Sequence, residues 1–314
     1  MANAITRLAD LQLPTNFGDM IIEQSTAKSA VMGSGAVVNV PNLAITKGAK
    51  LPIPFVKPLN VAPQTLADNA SLEKRKIATG RQESVVTSRG DAWSVNELAA
   101  GYVGEDLLGY IVSQIASYWA QVLDNQVLAT LDGLLASEVI PVHDISALTG
   151  GAELFSAAAF IKAQYKLGDA RAKLAIMVCH SDVSAMIEAQ NLNTARVANS
   201  DGTSTLTYRG LRVVESDKLV AEDGVYTNFL LSMGAFGYAN GLGLTEFEVA
   251  RDALAGEDIV VSRASYVMHP QGFTNTLAVD ANGASPTDAA LAADGAWTRA
   301  FEVKNIGIVA FKHK

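Results

Sequence analysis

The sequence has very little cysteine, no clustered histidine and no long apolar run. Cys179 is the only cysteine in 314 residues, so an intrachain disulfide, and with it a secreted disulfide scaffold, is excluded. The four histidines are not spaced as metal-ligand pairs, and no carboxylate stands beside them at such spacing, which argues against a zinc or iron site. No window of about eighteen apolar residues occurs, and the first residues lack the apolar core of a signal or transit peptide. We therefore predict no metal, no cofactor and no membrane span, in a protein made in the cytoplasm.

Charge and aromatic content are also low. Charged residues make up 18% and aromatic residues 7% of the chain, and the net charge is −8. An acidic chain is unsuited to gripping nucleic acid through its phosphates. Hydrophobic residues reach 49% and mean hydropathy is +0.19, which is more apolar material than a lone monomer covers. This balance predicts a large core and extensive contacts between subunits.

The longest helical pattern in the chain covers residues 105–137. Apolar residues recur there at steps of three and four, and no proline interrupts them, which is typical of an amphipathic helix. At a rise of 1.5 Å per residue such a helix is about 45–50 Å long. We expect Trp119 and its apolar neighbours to face a sheet of the same subunit.

A short helix is predicted just before the long one. Ser94 and Glu97 have the spacing of a capping box at its start. Gly101 and Gly104 follow and permit a bend between the two helices. Both glycines are therefore hinge candidates.

Two segments upstream carry few core positions. Residues 1–35 are short amphipathic pieces punctuated by glycine, proline and asparagine, which predicts an N-terminal arm that lies along other surfaces. Residues 36–92 contain five prolines within about twenty residues, which confines a strand there to a sheet edge or a loop. Ordinary loops are much shorter than this segment. We therefore predict an extended loop, a projecting two-stranded arm with 72–77 and 85–87 as its strands.

The extended loop carries the most basic cluster of the chain. One interpretation is a solvated loop face, and the other is a contact with an acidic patch on a neighbouring subunit. The candidates for inter-subunit contact come from this cluster and from the proline-rich stretch before it: Lys74, Arg75, Lys76, Arg81, Pro52, Pro54 and Phe55.

The remainder of the chain mixes strand and helix patterns. The apolar run 174–179 predicts a buried strand, and the helix after it has Ser181 as its expected N-cap. Three strands are predicted within 207–252. Strand patterns at 258–273 and 300–314 close the chain. Together with the long helix, this order predicts an α+β fold.

Cys179 and His180 place a thiol beside an imidazole, which raises the question of a cysteine-dependent hydrolase. Adjacent residues that leave a strand point to opposite sides, and Cys179 continues an apolar run, so a buried inert thiol is the favoured interpretation. The glycine pairs at 33–35 and 241–243 lack the strand and helix that flank a phosphate-binding loop. We therefore predict that the protein is not an enzyme.

The order of the elements and several local segments resemble the tailed-phage major capsid proteins of the Hong Kong 97 type. The segments that carry the resemblance are IASYWAQVLDNQVLATLDGLLAS, IMVCHSDVSAMIEAQNL, GLRVVESDKL, ASYVMHPQGF and KNIGIVAFKH. The resemblance implies the α+β capsid fold of that family. Its parts would be an N-terminal arm at 1–35, an extended loop at 36–92, a peripheral domain at 93–173 with a spine helix at 105–137, an α/β axial domain at 174–255, and return strands at 256–314.

The same resemblance implies a structural function. The chain would form pentamers and hexamers of an icosahedral head shell in the virion, and would hold double-stranded DNA by enclosure alone. The chain has no long charged helical extension at its start, which under this resemblance implies a separate scaffolding protein or the absence of cleavage. A portal and possible decoration proteins are further expected partners. Some relatives join subunits through a lysine and an asparagine, but no motif selects such a pair here. The alternatives are an encapsulin-like compartment shell, a Cys179-dependent hydrolase, and a fibre or adhesin module.

Overall fold

The structure is a computed structural model that describes residues 31–44, 49–59, 62–66, 68, 71–103, 107–190, 194–198, 204–241, 243–279 and 283–314. The helices in these ranges are α1 Glu97–Val103, α2 Leu107–Ala136, α3 Ala157–Gln164, α4 Ser181–Ala189 and α5 Asp288–Ala292. The strands are β1 Val37–Asn39, β2 Lys50–Val56, β3 Thr79–Asn96, β4 Val142–Asp144, β5 Leu174–Cys179, β6 Thr194–Ala198, β7 Ser204–Tyr208, β8 Leu211–Glu215, β9 Tyr226–Ser232, β10 Phe236–Asn240, β11 Phe247–Asp252, β12 Glu257–Pro270, β13 Phe273–Asn275, β14 Trp297–Arg299 and β15 Ile308–His313. No helix within the described ranges is long and apolar enough to cross a membrane.

The first sheet is built around two long antiparallel strands, β3 and β12. Its order is β1-β10-β12-β3-β2, and β11 pairs with the first half of β12. Strand β3 has 18 residues. Its first part, up to Val85, pairs with β2, and the part from Val86 to Asn96 pairs with β12. The β2–β3 hairpin therefore continues the sheet outward as a two-stranded extension.

The second sheet contains most of the hydrophobic core. Its order is β4-β15-β9-β5-β8-β7-β6, with parallel pairing of β5 to β8 and of β15 to β4. Each of the central strands β5, β9 and β15 contains four consecutive buried residues, as expected for strands covered on both faces. Helix α3 contributes Phe160, which is fully buried with Phe229 and Phe311 of the sheet.

Helix α2 packs on the first sheet with its first half and enters the main core with its second half. In its first half, Trp119 Nε1 donates to Ser262 Oγ of β12 at 2.8 Å, and Tyr118 donates to Asp91 of β3 at 3.0 Å. In its second half Leu131 is fully buried in the main core. The structure therefore confirms both the long helix predicted over 105–137 and the expectation that Trp119 faces a sheet.

The last turns of α2 pack very closely against α5. A Cβ added to Gly133 would overlap the backbone carbonyl oxygen of Leu291. Trp297 Nε1 donates to that same carbonyl at 2.9 Å, so the carbonyl is held from both sides. This contact is possible because Gly133 has no side chain.

The strands of the extended loop differ from the prediction. Residues 72–77 lie in an exposed stretch without strand structure, whereas β2 supplies the strand that pairs with Thr79–Val85. The prolines of β2 had left an edge strand and a loop as alternatives, and the structure shows the edge strand. Among the described residues β2 is the last strand at its edge of the sheet, and it tolerates proline there, as the edge rule allows.

Two predicted helix caps are also wrong. Ser94 lies inside β3, and the Asn96 side chain accepts hydrogen bonds from the backbone N–H groups of Leu98 and Ala99 at the start of α1. At the start of α4 the cap is His180, whose Nδ1 accepts from the Asp182 N–H at 3.1 Å. At α1 the Asn96 amide, two residues after Ser94, is the cap in place of the expected hydroxyl, and at α4 the His180 imidazole, one residue before Ser181, is the cap.

The two sheets do not divide the chain into simple consecutive blocks. Strands β10 and β11, within the predicted axial segment, pair into the first sheet, whereas β15, from the return segment, pairs into the second. The single strand expected at 207–216 is instead two strands, which turn at Arg209 and Gly210, both with positive φ. The residues before 31 and the hinge candidate Gly104 lie outside the described residues.

Candidate subunit-contact site

Strand β2 forms the edge of the extended loop. Lys57 N–H donates to Ala78 O at 2.9 Å, and Val86 N–H donates to Ala49 O at 3.0 Å. Antiparallel strands alternate hydrogen-bonded and non-hydrogen-bonded pairs, so the odd-numbered residues of β2 bond to β3. Pro52 and Pro54 are even-numbered, so their nitrogens point away from β3, toward the open edge.

The tip of the extended loop folds back on itself. The Gln64 side chain makes two hydrogen bonds with the backbone of Glu73, at 2.8 and 3.0 Å. Arg75 Nη1 donates to Ala62 O at 2.7 Å. The tip therefore has local order, with Lys74 and Lys76 exposed beside it.

The base of the extended loop is tied to the body of the subunit. Phe55 packs edge-to-face on Phe301, with ring centroids 4.8 Å apart, and lies over Gly80, where a side chain would clash with the ring. The Gln82 side-chain oxygen accepts from the Gly272 N–H at 3.2 Å and lies 3.0 Å from His269 Nε2. This geometry fixes His269 as the Nε2–H tautomer. Its burial lowers the pKa of His269 to about 4.

Exposed apolar residues accumulate along the extended loop. Five large side chains there are more than half exposed: Val56, Leu59, Leu66, Leu72 and Ile77. Monomeric proteins seldom present so much apolar surface in one segment. The loop therefore combines apolar surface with positive charge.

A second exposed surface has the opposite charge. We call this surface the acidic tip; it comprises α1 and the turn between β11 and β12. It exposes three large apolar side chains: Leu98, Tyr102 and Leu254. Four carboxylates surround them: Glu97, Asp252, Glu257 and Asp258. Arg251 pairs with Glu97 and, at 3.2 Å, with Asp258. A cleft of about 610 Å³ lies between α1 and this turn. The acidic tip offers a hollow that an apolar side chain can enter.

Another cleft, of about 1150 Å³, separates the end of α2 from the loop after β8. Asp132 of α2 and Glu222 of that loop both line it, together with Lys312. Partial loss of hydration inside the cleft, and then the negative charge of Glu222, raise the pKa of Asp132 to about 6, although the residue as a whole is exposed; Lys312 opposes this. Within the described residues no cluster of histidine, cysteine and carboxylate suits a metal ion.

Cys179 is not arranged as a nucleophile. Its side chain is fully buried, and this burial raises the pKa of the thiol to about 12. The Nδ1 atom of the adjacent His180 accepts a hydrogen bond from the Asp182 N–H and so caps α4. These observations oppose the hydrolase hypothesis at this residue.

Sequence comparison identifies the family. A family model described as Gp13-like, Major capsid protein 13-like, matches residues 104–307. The "Major capsid protein" of Bacillus phage SPP1 is 35% identical over 323 residues, covering 99% of both chains. This chain belongs to the phage major capsid proteins.

Solved structures agree with this major capsid protein in fold. A chain of the "Cyanophage Pam1 capsid asymmetric unit" has a TM-score of 0.62 at 13% identity, covering 100% of this chain and 99% of that one. A chain of the "Capsid of Ralstonia phage GP4" has a TM-score of 0.61 at 10% identity, covering 99% and 98%. A chain from Mycobacterium phage Che8 has a TM-score of 0.57 at 18% identity, covering 95% and 96%. The predicted α+β fold of the Hong Kong 97 type is thereby confirmed. The prediction of a structural virion protein is confirmed by the family match and the SPP1 relative.

The candidate contact residues of the capsid protein fall into two groups. Pro52, Pro54, Phe55 and Arg81 lie in the β2–β3 hairpin, where Arg81 pairs with Glu83 at 2.8 Å. Lys74, Arg75 and Lys76 lie in the loop tip. Sequence reasoning missed the acidic tip, although the adjacent carboxylates Glu257 and Asp258, just after a glycine turn, were a visible signal.

Proposed function

We propose that copies of this chain assemble as pentamers and hexamers into an icosahedral head shell that encloses double-stranded DNA. The observation that carries the proposal is the apolar surface of the extended loop, which its own subunit leaves exposed. A surface of this kind gains free energy when a neighbouring copy covers it. Repetition of such modest contacts around a closed shell gives a stable particle.

The surface that receives the loop is proposed to be the acidic tip of a neighbouring copy. The loop tip carries Lys74, Arg75 and Lys76, and the acidic tip carries an excess of carboxylates. Both surfaces also expose large apolar side chains. Opposite charge guides the approach of the two surfaces, and apolar contact then holds them together.

Replacement of residues 58–77 by Asn-Gly tests the proposal. The hydrogen-bonded pair Lys57 and Ala78 would then be closed by a two-residue turn, which suits an antiparallel hairpin and keeps β2 paired with β3. We expect a folded subunit that forms no shells, as measured by circular dichroism, light scattering and electron microscopy.

A second variant keeps the length of the loop and changes Leu59, Leu66, Leu72 and Ile77 to serine. It should also lose assembly, because the apolar surface is removed. Shells of normal yield from both variants would refute the role of the loop. Nuclease-resistant DNA inside particles recovered from infected cells would distinguish a phage head from a compartment for protein cargo.

Several further roles belong to the same proposal. We infer a separate scaffolding protein, a portal and possible decoration proteins as partners, and no catalytic role. The domain boundaries at 35, 92, 173 and 255, and a hinge at Gly101 and Gly104, remain predictions. Gly101 lies in α1, where an added Cβ would meet no atom within 4 Å, so the proposed hinge rests on the conformational freedom of glycine.

A further inference from the structure

The outer edge of β2 is unusual in its backbone groups. The positions that point away from β3 are Lys50, Pro52, Pro54 and Val56, by the alternation established above. At an ordinary edge each of these positions offers one N–H and one C=O to an incoming strand. Here the two central positions have no N–H at all.

An open β2 edge would be a hazard in this particular protein. The strand has the sequence KLPIPFV, and without its prolines it would be a short, apolar segment of low charge, the type that adds to other strands. A protein that gathers many copies into one particle presents the same edge many times at high local concentration. Strand addition would then compete with the intended contact.

We propose that Pro52 and Pro54 close the β2 edge to strand addition by a second copy, so that subunits meet through the side chains of the extended loop. The prolines thus determine which contacts between copies are possible.

The geometry supports this role in two ways. The remaining outward donors, at Lys50 and Val56, stand at opposite ends of the strand, so a neighbouring strand cannot form a continuous ladder with them. Each proline ring also occupies the space that an incoming carbonyl oxygen needs. The pairing with β3 loses nothing, because both prolines occupy positions that do not bond to β3.

The test is the double variant P52T/P54T, which restores both donors with residues that favour strands. In the monomer the two new amides should exchange hydrogen rapidly, since they face solvent. At assembly concentration we expect a several-fold increase in thioflavin-positive, irregular aggregate, in which both amides become protected. Circular dichroism and thermal unfolding of the monomer report whether the fold is intact.

Two control variants separate edge closure from the stiffness that proline gives a chain. P58T/P63T removes two prolines from the same loop outside β2 and should behave like the unmodified protein. P52K/P54K restores the amides but adds two charges to the exposed face, and it should stay soluble. Only the expected effect on shell yield rests on the proposed self-assembly. Amide exchange and aggregation are measured on the subunit itself and do not depend on that proposal.

The inference is overturned if folded P52T/P54T aggregates no more than the unmodified protein, or if the new amides are already protected in the monomer. It is equally overturned if P58T/P63T aggregates to the same extent, because stiffness would then be the cause. If P52T/P54T forms no shells and its amides at positions 52 and 54 stay unprotected, edge closure is also contradicted. The proposed function is unaffected by that result.

Discussion

At the scale of single residues, Gly133 makes the most demanding contact of the structure. A side chain there meets the Leu291 carbonyl oxygen, which Trp297 already holds. We predict that Gly133→Ala lowers the free energy of unfolding by about 1–3 kcal/mol, because the overlap falls on backbone atoms that cannot rotate away. Chemical denaturation of the subunit measures the loss.

The matched control is Gly101→Ala, also within a helix. An added Cβ there meets nothing within 4 Å, so the substitution should raise the free energy of unfolding by about 0.5–1 kcal/mol through the helix preference of alanine. Equal effects of the two substitutions would contradict the close packing of α2 against α5.

His269 gives the subunit a pH dependence. Burial lowers the pKa of His269 in the folded state to about 4, below its ordinary value, so the unfolded chain binds the proton more readily. Stability attributable to His269 is therefore complete above about pH 6.5 and is lost as the pH falls toward 4, by about 3 kcal/mol in total.

The measurement compares the unfolding free energy of His269→Gln and of the unmodified subunit from pH 4.5 to 7.5. Asp132 acts in the opposite sense, because its raised pKa favours the folded state at acidic pH. The difference between the two proteins isolates the histidine. Parallel pH profiles would show that His269 does not titrate in this range.

At the scale of elements, the strength of the local pattern decided what the sequence could predict. Helix α2 was found almost to its ends because thirty residues repeat the same period. Strand β5 was found because it is an uninterrupted apolar run. For β2 the sequence left an edge strand and a loop as alternatives. It could not choose between them, because the direction of a proline nitrogen depends on a pairing register that no local pattern contains.

Pairing over long distances in the chain was the other obstacle. Strand β12 pairs with β3, which lies far upstream in the chain, so that Glu257 stands opposite Asn96. The acidic tip exists only because this pairing, with the hydrogen bond of 2.8 Å from the Glu97 N–H to Gly256 O, brings the turn between β11 and β12 to α1. Half of the candidate site, the basic loop, was therefore predictable, whereas its proposed counterpart was not.

At the scale of the whole molecule, the proposed contact depends on opposite charges in separate copies. We predict that K74E/K76E slows assembly several-fold and that adding E257K to the same chain restores part of the rate. Assembly of the unmodified protein should also slow as the salt concentration rises, because ions screen the attraction. Time-resolved light scattering measures all three effects.

The control is K162E/K166E, which changes the net charge by the same amount. Lys162 lies in α3 and Lys166 lies just after it, outside the extended loop. It should assemble at the unmodified rate. If both double variants slow assembly alike, total charge and not a specific surface governs the reaction.

The shared strand β3 has a mechanical consequence. The extended loop and the body of the subunit have no joint between them, since one strand runs from the β2 hairpin through its register with β12, from Val86 opposite Val267 to Asn96 opposite Glu257. A neighbour that pulls on the loop along this strand loads all the hydrogen bonds of that register at once, in shear. Tension that a neighbouring copy applies to the loop would thus be spread over the sheet instead of peeling it open bond by bond.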